Sequence, residues 1–355
     1  MSAHCPHQRD QAPQIARVDT ELTHRTLMTR RELTAAALAL VTLQRALPAS
    51  LLSPALAAPD RSTPEANETS ANLGATQIAP GIFVHQGEHG VYTRANGGDI
   101  CNTGFVIGRD AVAVIDTGGT ARLGAALKAR IASRTDRPIR YVINTHMHPD
   151  HVLGNAAFKG ENSVFVGHEK LARALTARAE RYLAYNKAAI GEEAFAGTEI
   201  VLPTMPVSGE QKIDLGDREL VLNARPTAHT DNDLTVRDLK TGTLFTGDLV
   251  FSGHVPTLDG SIRGWLALLA VLERETAQRI IPGHGPASMD WPAAALPIKR
   301  YLDTVAAGVR QAIKDGRTLR QAIDTVGESE RPHWQLFDEF HKRNVSAAFA
   351  ELEWE

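Results

Sequence analysis

Cysteine, excess charge and long apolar runs are all scarce in this chain of 355 residues. The two cysteines, Cys5 and Cys101, cannot form a disulfide framework. A net charge of -3 without a basic stripe gives no indication of nucleic-acid binding. No stretch beyond the N-terminal region reaches about 18 consecutive apolar residues, which predicts no membrane span in the mature protein. The hydrophobic fraction of 43% and the charged fraction of 22% are typical of a soluble globular protein with one large core.

The first 57 residues are predicted to be an N-terminal extension with an export signal. The pair Arg30-Arg31 precedes a short apolar stretch, residues 33–43, and Ala55-Leu56-Ala57 supplies a small-x-small cleavage site. This order is similar to a twin-arginine signal peptide, which would place the mature protein in the periplasm. An ordinary N-terminal helix with two chance arginines is the alternative, and Met28 is an alternative start to Met1.

Composition and hydrophobic periodicity divide the rest of the chain into three parts. Residues 58–75 are rich in Ser, Thr, Pro, Ala and Asn and are predicted to be a linker. Residues 76–287 combine strand and helix patterns and form the main predicted domain. Residues 288–355 are predicted to be a C-terminal helical extension, because apolar residues recur there at helical spacing.

The patterns within residues 76–287 predict an α/β fold. Strands are expected at 82–84, 103–107, 111–115, 140–143, 163–167, 211–215, 219–223, 234–237, 244–246 and 279–282. Helices are expected after the third strand, where Thr120 can act as the N-cap, and at about 168–195 and 262–274. Two strand-rich halves predict two sheets that pack face to face with helices outside.

The most informative motif is the run His146-Met147-His148-Pro149-Asp150-His151, in which four of six residues can bind a metal. Three further candidate ligands lie downstream, at His229, Asp248 and His284. The run follows a predicted buried strand, and the carboxyl ends of strands are where α/β sheets usually bind ligands. Packing alone does not explain five histidines and two aspartates at strand ends.

These donors predict two metal ions rather than one. Imidazole nitrogen and carboxylate oxygen suit zinc, iron or manganese better than calcium or magnesium. His146 and His148, at i and i+2 of an extended loop, point to one side, whereas Asp150 and His151 follow the turn at Pro149 and can reach a second ion. Asp248 suits a bridge between the ions. Two zinc ions sharing a hydroxide would supply a nucleophile at neutral pH.

At these residues the chain resembles the metallo-β-lactamase-fold hydrolase superfamily, over roughly residues 77–287. The resemblance implies an αββα sandwich of two mixed sheets, with the site at one edge between them. It implies that one zinc ion is held by His146, His148 and His229, that the other is held by Asp150, His151 and His284, and that Asp248 bridges them. The ligand set is similar to that of glyoxalase II, and Asp150 is the candidate catalytic residue for proton shuttling.

A narrower likeness is to the zinc metallohydrolases of quinoprotein relay systems and of sulfur-oxidation clusters. It rests on segments 144–151, 154–158, 227–234 and 247–251, and on Trp334, Phe337 and Asn344-Val345 in the tail. Those relatives are exported proteins, which agrees with the predicted signal peptide.

Three further residues are predicted to support the site or to line its pocket. Asp116 ends a strand in an Ile-Asp-Thr-Gly run, where the resemblance implies an acid that orients a ligand histidine. Asn232 can polarise a substrate carbonyl or cap its own loop. His254 can line the pocket or be structural, and Cys101 is expected to be a small buried residue.

The sequence therefore predicts a periplasmic dinuclear zinc hydrolase that cleaves an ester, thioester or lactam-type bond of a small-molecule substrate. Two alternatives stay open: an iron-dependent persulfide dioxygenase on the same fold, and a non-catalytic periplasmic ligand-binding accessory protein. The substrate depends on the loops at 86–100, 183–207 and 252–264. Neither the substrate nor the oligomeric state follows from the sequence.

Overall fold

Two facing β-sheets form the centre of the protein in a computed structural model, which describes residues 73–355. The first sheet contains, in spatial order, β1 (Thr76–Ala79), β2 (Ile82–His85), β3 (Thr103–Ile107), β4 (Val112–Ile115), β5 (Ile139–Ile143), β6 (Val164–His168) and β7 (Met205–Val207). The second contains β8 (Glu210–Asp214), β9 (Glu219–Ala224), β10 (Leu234–Asp238), β11 (Thr243–Phe251) and β12 (Arg279–His284). Both sheets are mixed, because β4 to β7 pair in parallel, as do β11 and β12.

Helices cover the outer faces of the sheets, as the sequence predicts. They are α1 (Ala121–Ala132), α2 (Pro149–Val152), α3 (Leu171–Ile190), α4 (Ile262–Leu272), α5 (Ala295–Lys314), α6 (Leu319–Thr325) and α7 (Phe337–Leu352). The Thr120 hydroxyl caps α1 by accepting a hydrogen bond from Leu123 N. Apolar side chains of both sheets, such as Ile143, Val166, Leu222 and Phe245, form one buried cluster between them. The αββα sandwich is thereby confirmed.

The predicted signal peptide and most of the predicted linker, residues 1–72, lie outside the described residues. Within residues 73–355, no helix is both long and apolar enough to cross a membrane. The sequence missed β1, β7 and the four-residue helix α2. These elements contain only three or four residues each, too few to show a period.

Strand β11 is longer than predicted, which changes the setting of Asp248. The patterns suggested a strand ending at residue 246, with Asp248 near its edge, whereas β11 continues to Phe251 and every residue in it is buried. Its pairing with β12 shifts between Phe245 and Gly247, and Gly247 has a φ of 51°. This irregularity redirects the strand, so that Asp248 faces the site from within the sheet.

The tail is helical and packs tightly, as its periodicity predicts. Buried residues of α5 and α7, including Tyr301, Val305 and Val345, share one cluster with Trp265 and Leu269 of α4. Gly316, with a φ of 69°, ends α5 in the expected place. The division into a main domain and a helical extension stays a prediction.

A buried ion pair joins the two sheets at the end away from the histidines. The guanidinium of Arg218 donates from Nε to Asp238 Oδ1 at 2.7 Å and from Nη2 to Oδ2 at 2.9 Å. Its Nη1 donates to Pro80 O at 2.8 Å and to Ile107 O at 3.2 Å, both in the first sheet. Arg218 and Asp238 are both buried, so the pair depends on complete hydrogen bonding.

Candidate metal centre

All seven predicted ligands converge at one edge of the sandwich. His146 and His148 lie in the turn after β5, and Pro149 begins α2, where its missing N–H costs nothing. Asp150 and His151 follow within the first turn of that helix. The other three ligands come from the second half of the chain: His229 from the loop between β9 and β10, Asp248 from β11 and His284 from the end of β12.

The crowding around Asp248 requires glycine on the neighbouring strand. A Cβ on Gly283 would lie 1.9 Å from Asp248 Oδ1, the oxygen that faces His151. Any larger residue would therefore push the carboxylate out of place. Gly283 therefore leaves room for the carboxylate of Asp248, and the next residue, His284, is itself a candidate ligand.

Three histidines and Asp248 form the first group. Nδ1 of His148 lies 3.1 Å from Nε2 of His146 and 2.9 Å from Nε2 of His229. Asp248 Oδ2 lies 3.6 Å from His146 Nε2 and 3.4 Å from His229 Nε2. A tetrahedral zinc ion with bonds of about 2.0–2.1 Å spaces its ligand nitrogens by about 3.3 Å. The spacing of this group is close to that value.

The second group shares Asp248 with the first. Its Oδ1 lies 3.1 Å from His151 Nε2, and its Oδ2 lies 3.4 Å from His284 Nε2. Asp150 Oδ2 lies 3.2 Å from His284 Nε2 and 3.5 Å from His151 Nε2. One carboxylate therefore contacts both groups, which is the position expected of a bridging ligand.

Each histidine is oriented by an acceptor on its outer nitrogen. His229 donates from Nδ1 to Thr257 O at 2.7 Å, and His284 donates from Nδ1 to Ile100 O at 2.7 Å. His148 is reversed, with Nε2 3.2 Å from Asp259 Oδ2 and Nδ1 in the site. Because these partners can only accept, each outer nitrogen carries a proton, and the inner nitrogen of each ring faces the centre.

Asp116 orients two of the ligands at once. Its Oδ2 accepts from His151 Nδ1 at 2.8 Å and from the Thr145 hydroxyl at 2.7 Å. That hydroxyl lies 3.0 Å from His146 Nδ1, so it can accept from the ring while it donates to the carboxylate. Asp116 has a φ of 56°, an uncommon conformation for a residue with a side chain. Asp116 therefore contacts both His151 and the hydroxyl beside His146, and its supporting role stays a prediction.

The donor set fits metal ions. His151 Nε2 and Asp248 Oδ1 are buried and make no hydrogen bond, although they lie 3.1 Å apart. A buried polar atom without a partner is costly, and a cation between the groups would satisfy both. Nitrogen and oxygen donors in these numbers suit zinc, iron or manganese. The identity and number of the ions, and the role of each ligand, stay predictions.

The charges of the two groups differ in a way that favours cations. Burial lowers the pKa of His229 to about 3 and holds the pKa of His146 well below its usual range, so both rings are neutral donors. Burial also lowers the pKa of His284, but the charges of Asp248 and Asp150 outweigh it and raise that pKa to about 9. The carboxylates therefore attract positive charge to the second group.

The remaining predicted residues have different surroundings. His254 lines the cavity beside the ligands, with its ring 4.8 Å from that of His284, and burial lowers its pKa to about 3. Asn232 is fully buried but does not line the cavity, and its amide donates to Asp231 Oδ1 at 2.8 Å. Cys101 is buried as expected, with Sγ 2.9 Å from Asp150 O.

Two residues at the site were missed by the sequence reasoning. The Tyr92 hydroxyl donates to Asp150 Oδ1 at 3.1 Å, and Asp259 accepts from His148. Tyr92 lies within a loop that was expected to shape the pocket, but no local pattern marks it. In the sequence, the Asp259-Gly260 pair cannot be distinguished from an ordinary turn signal.

The C-terminal helix α7 holds the loop of residues 252–261, which carries Thr257 and Asp259, the acceptors of His229 and His148. Asn344 Oδ1 accepts from Leu258 N at 2.9 Å, and its amide donates to Pro256 O. Glu351 accepts from Ser261 Oγ at 2.7 Å and from Ile262 N at 2.8 Å at the start of α4. Because Thr257 and Asp259 lie between these two anchors, the tail contributes to the centre without supplying a ligand.

Replacing Asn344 with alanine is expected to loosen this loop. The change leaves buried backbone groups of Pro256 and Leu258 unpaired, which should lower the free energy of unfolding by about 1–3 kcal/mol. Displacement of Thr257 O and Asp259 should also weaken metal binding about tenfold, measured by competition with a chromophoric chelator. Glu339→Ala, at an exposed position of the same helix, is the control. Unchanged metal affinity in Asn344→Ala would limit Asn344 to a structural role.

The fold and the convergence of ligands define a metal-binding αββα protein, and comparison with known families gives the same result. The chain belongs to the metallo-beta-lactamase superfamily, whose family model matches residues 96–284. Members of this superfamily are typically metal-dependent hydrolases. A comparison with curated protein sequences finds no match.

Several solved structures are similar in fold. A metallo-beta-lactamase from Pontibacter korlensis has 20% identity and a TM-score of 0.52, covering 64% of this chain and 99% of its own. The sec-alkylsulfatase Pisa1 from Pseudomonas sp. has 15% identity and a TM-score of 0.59, and the match covers 79% of this chain and 50% of the sulfatase. A beta-lactamase domain protein from Burkholderia ambifaria has 17% identity and a TM-score of 0.59, and the match covers 82% of this chain and 90% of that protein. At these identities the likeness concerns the fold alone.

Proposed function

We propose that the protein is a dinuclear zinc hydrolase that cleaves an ester, thioester or lactam-type bond. The observation that carries the proposal is the position of Asp248, whose carboxylate contacts His146 and His229 on one side and His151 and His284 on the other. A single ion would not need a carboxylate shared between two groups of donors. The cavity beside the ligands gives a small-molecule substrate direct access to them.

Each of the two groups of residues would hold one ion. His146, His148 and His229 would hold the first ion, Asp150, His151 and His284 the second, and Asp248 both. When bound, the two ions supply Lewis acidity that lowers the pKa of a water molecule and polarises a carbonyl.

Asp150 is the residue that we assign to proton transfer. It lines the cavity, and the Tyr92 hydroxyl fixes its Oδ1 while Oδ2 faces His284. Burial raises the pKa of Asp150, but His151 and His284 outweigh it and keep the pKa below its usual range. The carboxylate is therefore ionised at neutral pH and available to accept a proton.

Metal content and a substrate panel test the proposal together. We expect two zinc ions per chain in protein purified from its own compartment, and hydrolysis of at least one of a thioester, a lactone and nitrocefin. His146→Ala should lose both metal and activity, whereas His333→Ala, at an exposed position, should retain both. Fully loaded protein that cleaves none of the three would overturn the reaction type. One iron ion per chain with oxygen uptake on glutathione persulfide would identify a dioxygenase instead.

Export to the periplasm and kinship with the quinoprotein-relay and sulfur-oxidation metallohydrolases belong to the same proposal. Their support is the Arg30-Arg31 pair before an apolar stretch, the cleavage motif at residues 55–57 and the motifs around the ligands. N-terminal sequencing of the mature protein should begin after Ala57. Retention of residues 30–50 in the periplasmic protein would contradict a cleaved signal.

A further inference from the structure

The cavity beside the metal ligands is walled by two helices that are far apart in the chain. It has a volume of about 420 Å³, which is within the range of small-molecule sites. Its floor contains the candidate ligands His148, Asp150 and His284. Its rim contains side chains of α3 and of α7.

Helix α3 contributes one cation and two aromatic rings. Arg181, Tyr182 and Tyr185 all line the cavity, and the i, i+4 spacing places Arg181 and Tyr185 on the same face of the helix. Tyr185 is 66% exposed, so its ring is accessible to a ligand in the cavity. Arg181 is exposed and makes no ion pair with an acidic side chain within residues 73–355.

Helix α7 contributes a similar combination of one cation and one aromatic ring. Phe340 and Arg343 line the cavity at i and i+3. Arg343 Nη2 lies 3.5 Å from Asp259 Oδ1, but Asp259 uses its other oxygen to orient His148, so one carboxylate serves two partners. Apart from the candidate ligands, the charged groups that line the cavity are therefore two arginines and one aspartate. The rim is cationic although the chain has a net charge of -3.

The rest of the lining combines apolar side chains with the polar groups of Tyr92, Thr257 and His254. Val91, Ile100 and Phe251 join the aromatic rings of the two helices between the rim and the ligands. His254 is buried in the lining, with its ring 4.8 Å from that of His284. A ligand that fills this space must therefore carry an apolar body and end in a group that two guanidinium groups can bind.

We infer that the substrate is an amphiphilic anion, with its reacting bond at the ligands, an apolar body in the cavity, and a carboxylate or sulfonate at Arg181 and Arg343. Guanidinium groups form paired, charge-assisted hydrogen bonds with such anions, and their delocalised charge stacks well beside aromatic rings. The reacting position in this inference rests on the proposed hydrolase function, whereas the anion site itself does not.

Binding of non-reacting ligands tests the inference separately from catalysis. Titration calorimetry of the zinc-loaded protein should show that 4-phenylbutyrate, or the sulfonate of the same length, binds more tightly than neutral 4-phenylbutanamide. Arg181→Gln should weaken anion binding roughly 10- to 100-fold and leave the amide unaffected. Arg181 is the decisive position because its replacement breaks no internal ion pair. Arg320→Gln, an exposed arginine on α6, is the matched control.

The outcomes separate this inference from the proposed function. Equal affinity for the anions and the amide, or an unchanged anion affinity in Arg181→Gln, would overturn the anion site. Selective anion binding by a protein that hydrolyses none of the three substrate classes would support the site and overturn the hydrolase. If hydrolysis is found, the same arginine variant should lose kcat/KM for an acyl substrate with a free terminal carboxylate. The corresponding terminal amide should be cleaved as before.

Discussion

Asp248→Asn should lower kcat/KM by more than about 100-fold, beyond the 10–100-fold losses typical of residues that only support a metal ligand. Asparagine keeps the size of the side chain but removes the negative charge that lies between four imidazole rings. Both groups of donors lose their shared ligand in this variant. Metal analysis after dialysis should therefore show fewer ions per chain, independently of any substrate.

A second aspartate provides the control for this variant. Asp303 is exposed on α5 and contacts neither the ligands nor the cavity, so Asp303→Asn should retain full metal content. If Asp248→Asn retained two ions per chain and normal turnover, the bridging position would be wrong.

Arg218→Leu should lower the free energy of unfolding by about 3–5 kcal/mol. The replacement leaves Asp238 charged and buried, and it also removes the donors to Pro80 O and Ile107 O in the opposite sheet. Denaturant unfolding at a fixed zinc concentration measures the change, because bound metal adds its own stabilisation.

Two further variants separate the cost of the lone carboxylate from the general effect of losing an arginine. Arg218→Leu combined with Asp238→Leu should be less destabilised than Arg218→Leu alone, since no buried charge is left without a partner. Arg109→Leu should change stability little, because Arg109 and its partner Asp110 are exposed. Equal losses in Arg218→Leu and Arg109→Leu would show that burial of the pair is unimportant.

The sequence was sufficient to predict the sandwich and the residues that converge at its edge, because both depend on local patterns. Strands β3 to β5 are short apolar runs bounded by turn residues, and Thr120 with Leu123, Leu127 and Ile131 marks α1. The His-x-His-x-Asp-His run has four donors within six residues, a density that packing does not require. Chemistry alone then limits the metals to a few classes.

The features that the sequence did not predict depend on residues that meet only in the folded chain. Nothing near Asp259 indicates that it faces His148, and nothing near Arg343 indicates that it shares a cavity with Arg181. The sequence predicts the tail only as a helical extension, because apolar residues recur there at helical spacing. The other face of α7, with Phe340 and Arg343, reaches the cavity through tertiary packing that has no periodic signal.

The anchoring of residues 252–261 by Asn344 and Glu351 has a consequence for how the protein is made. His146 leaves the ribosome about 200 residues before Asn344, an interval of about 10–40 s at about 5–20 residues per second. Until the later segment arrives, residues 252–261 lack the hydrogen bonds from Asn344 and Glu351, so Thr257 and Asp259 hold the rings of His229 and His148 less firmly. The histidines that are synthesised first therefore reach their final orientation only after α7 has docked.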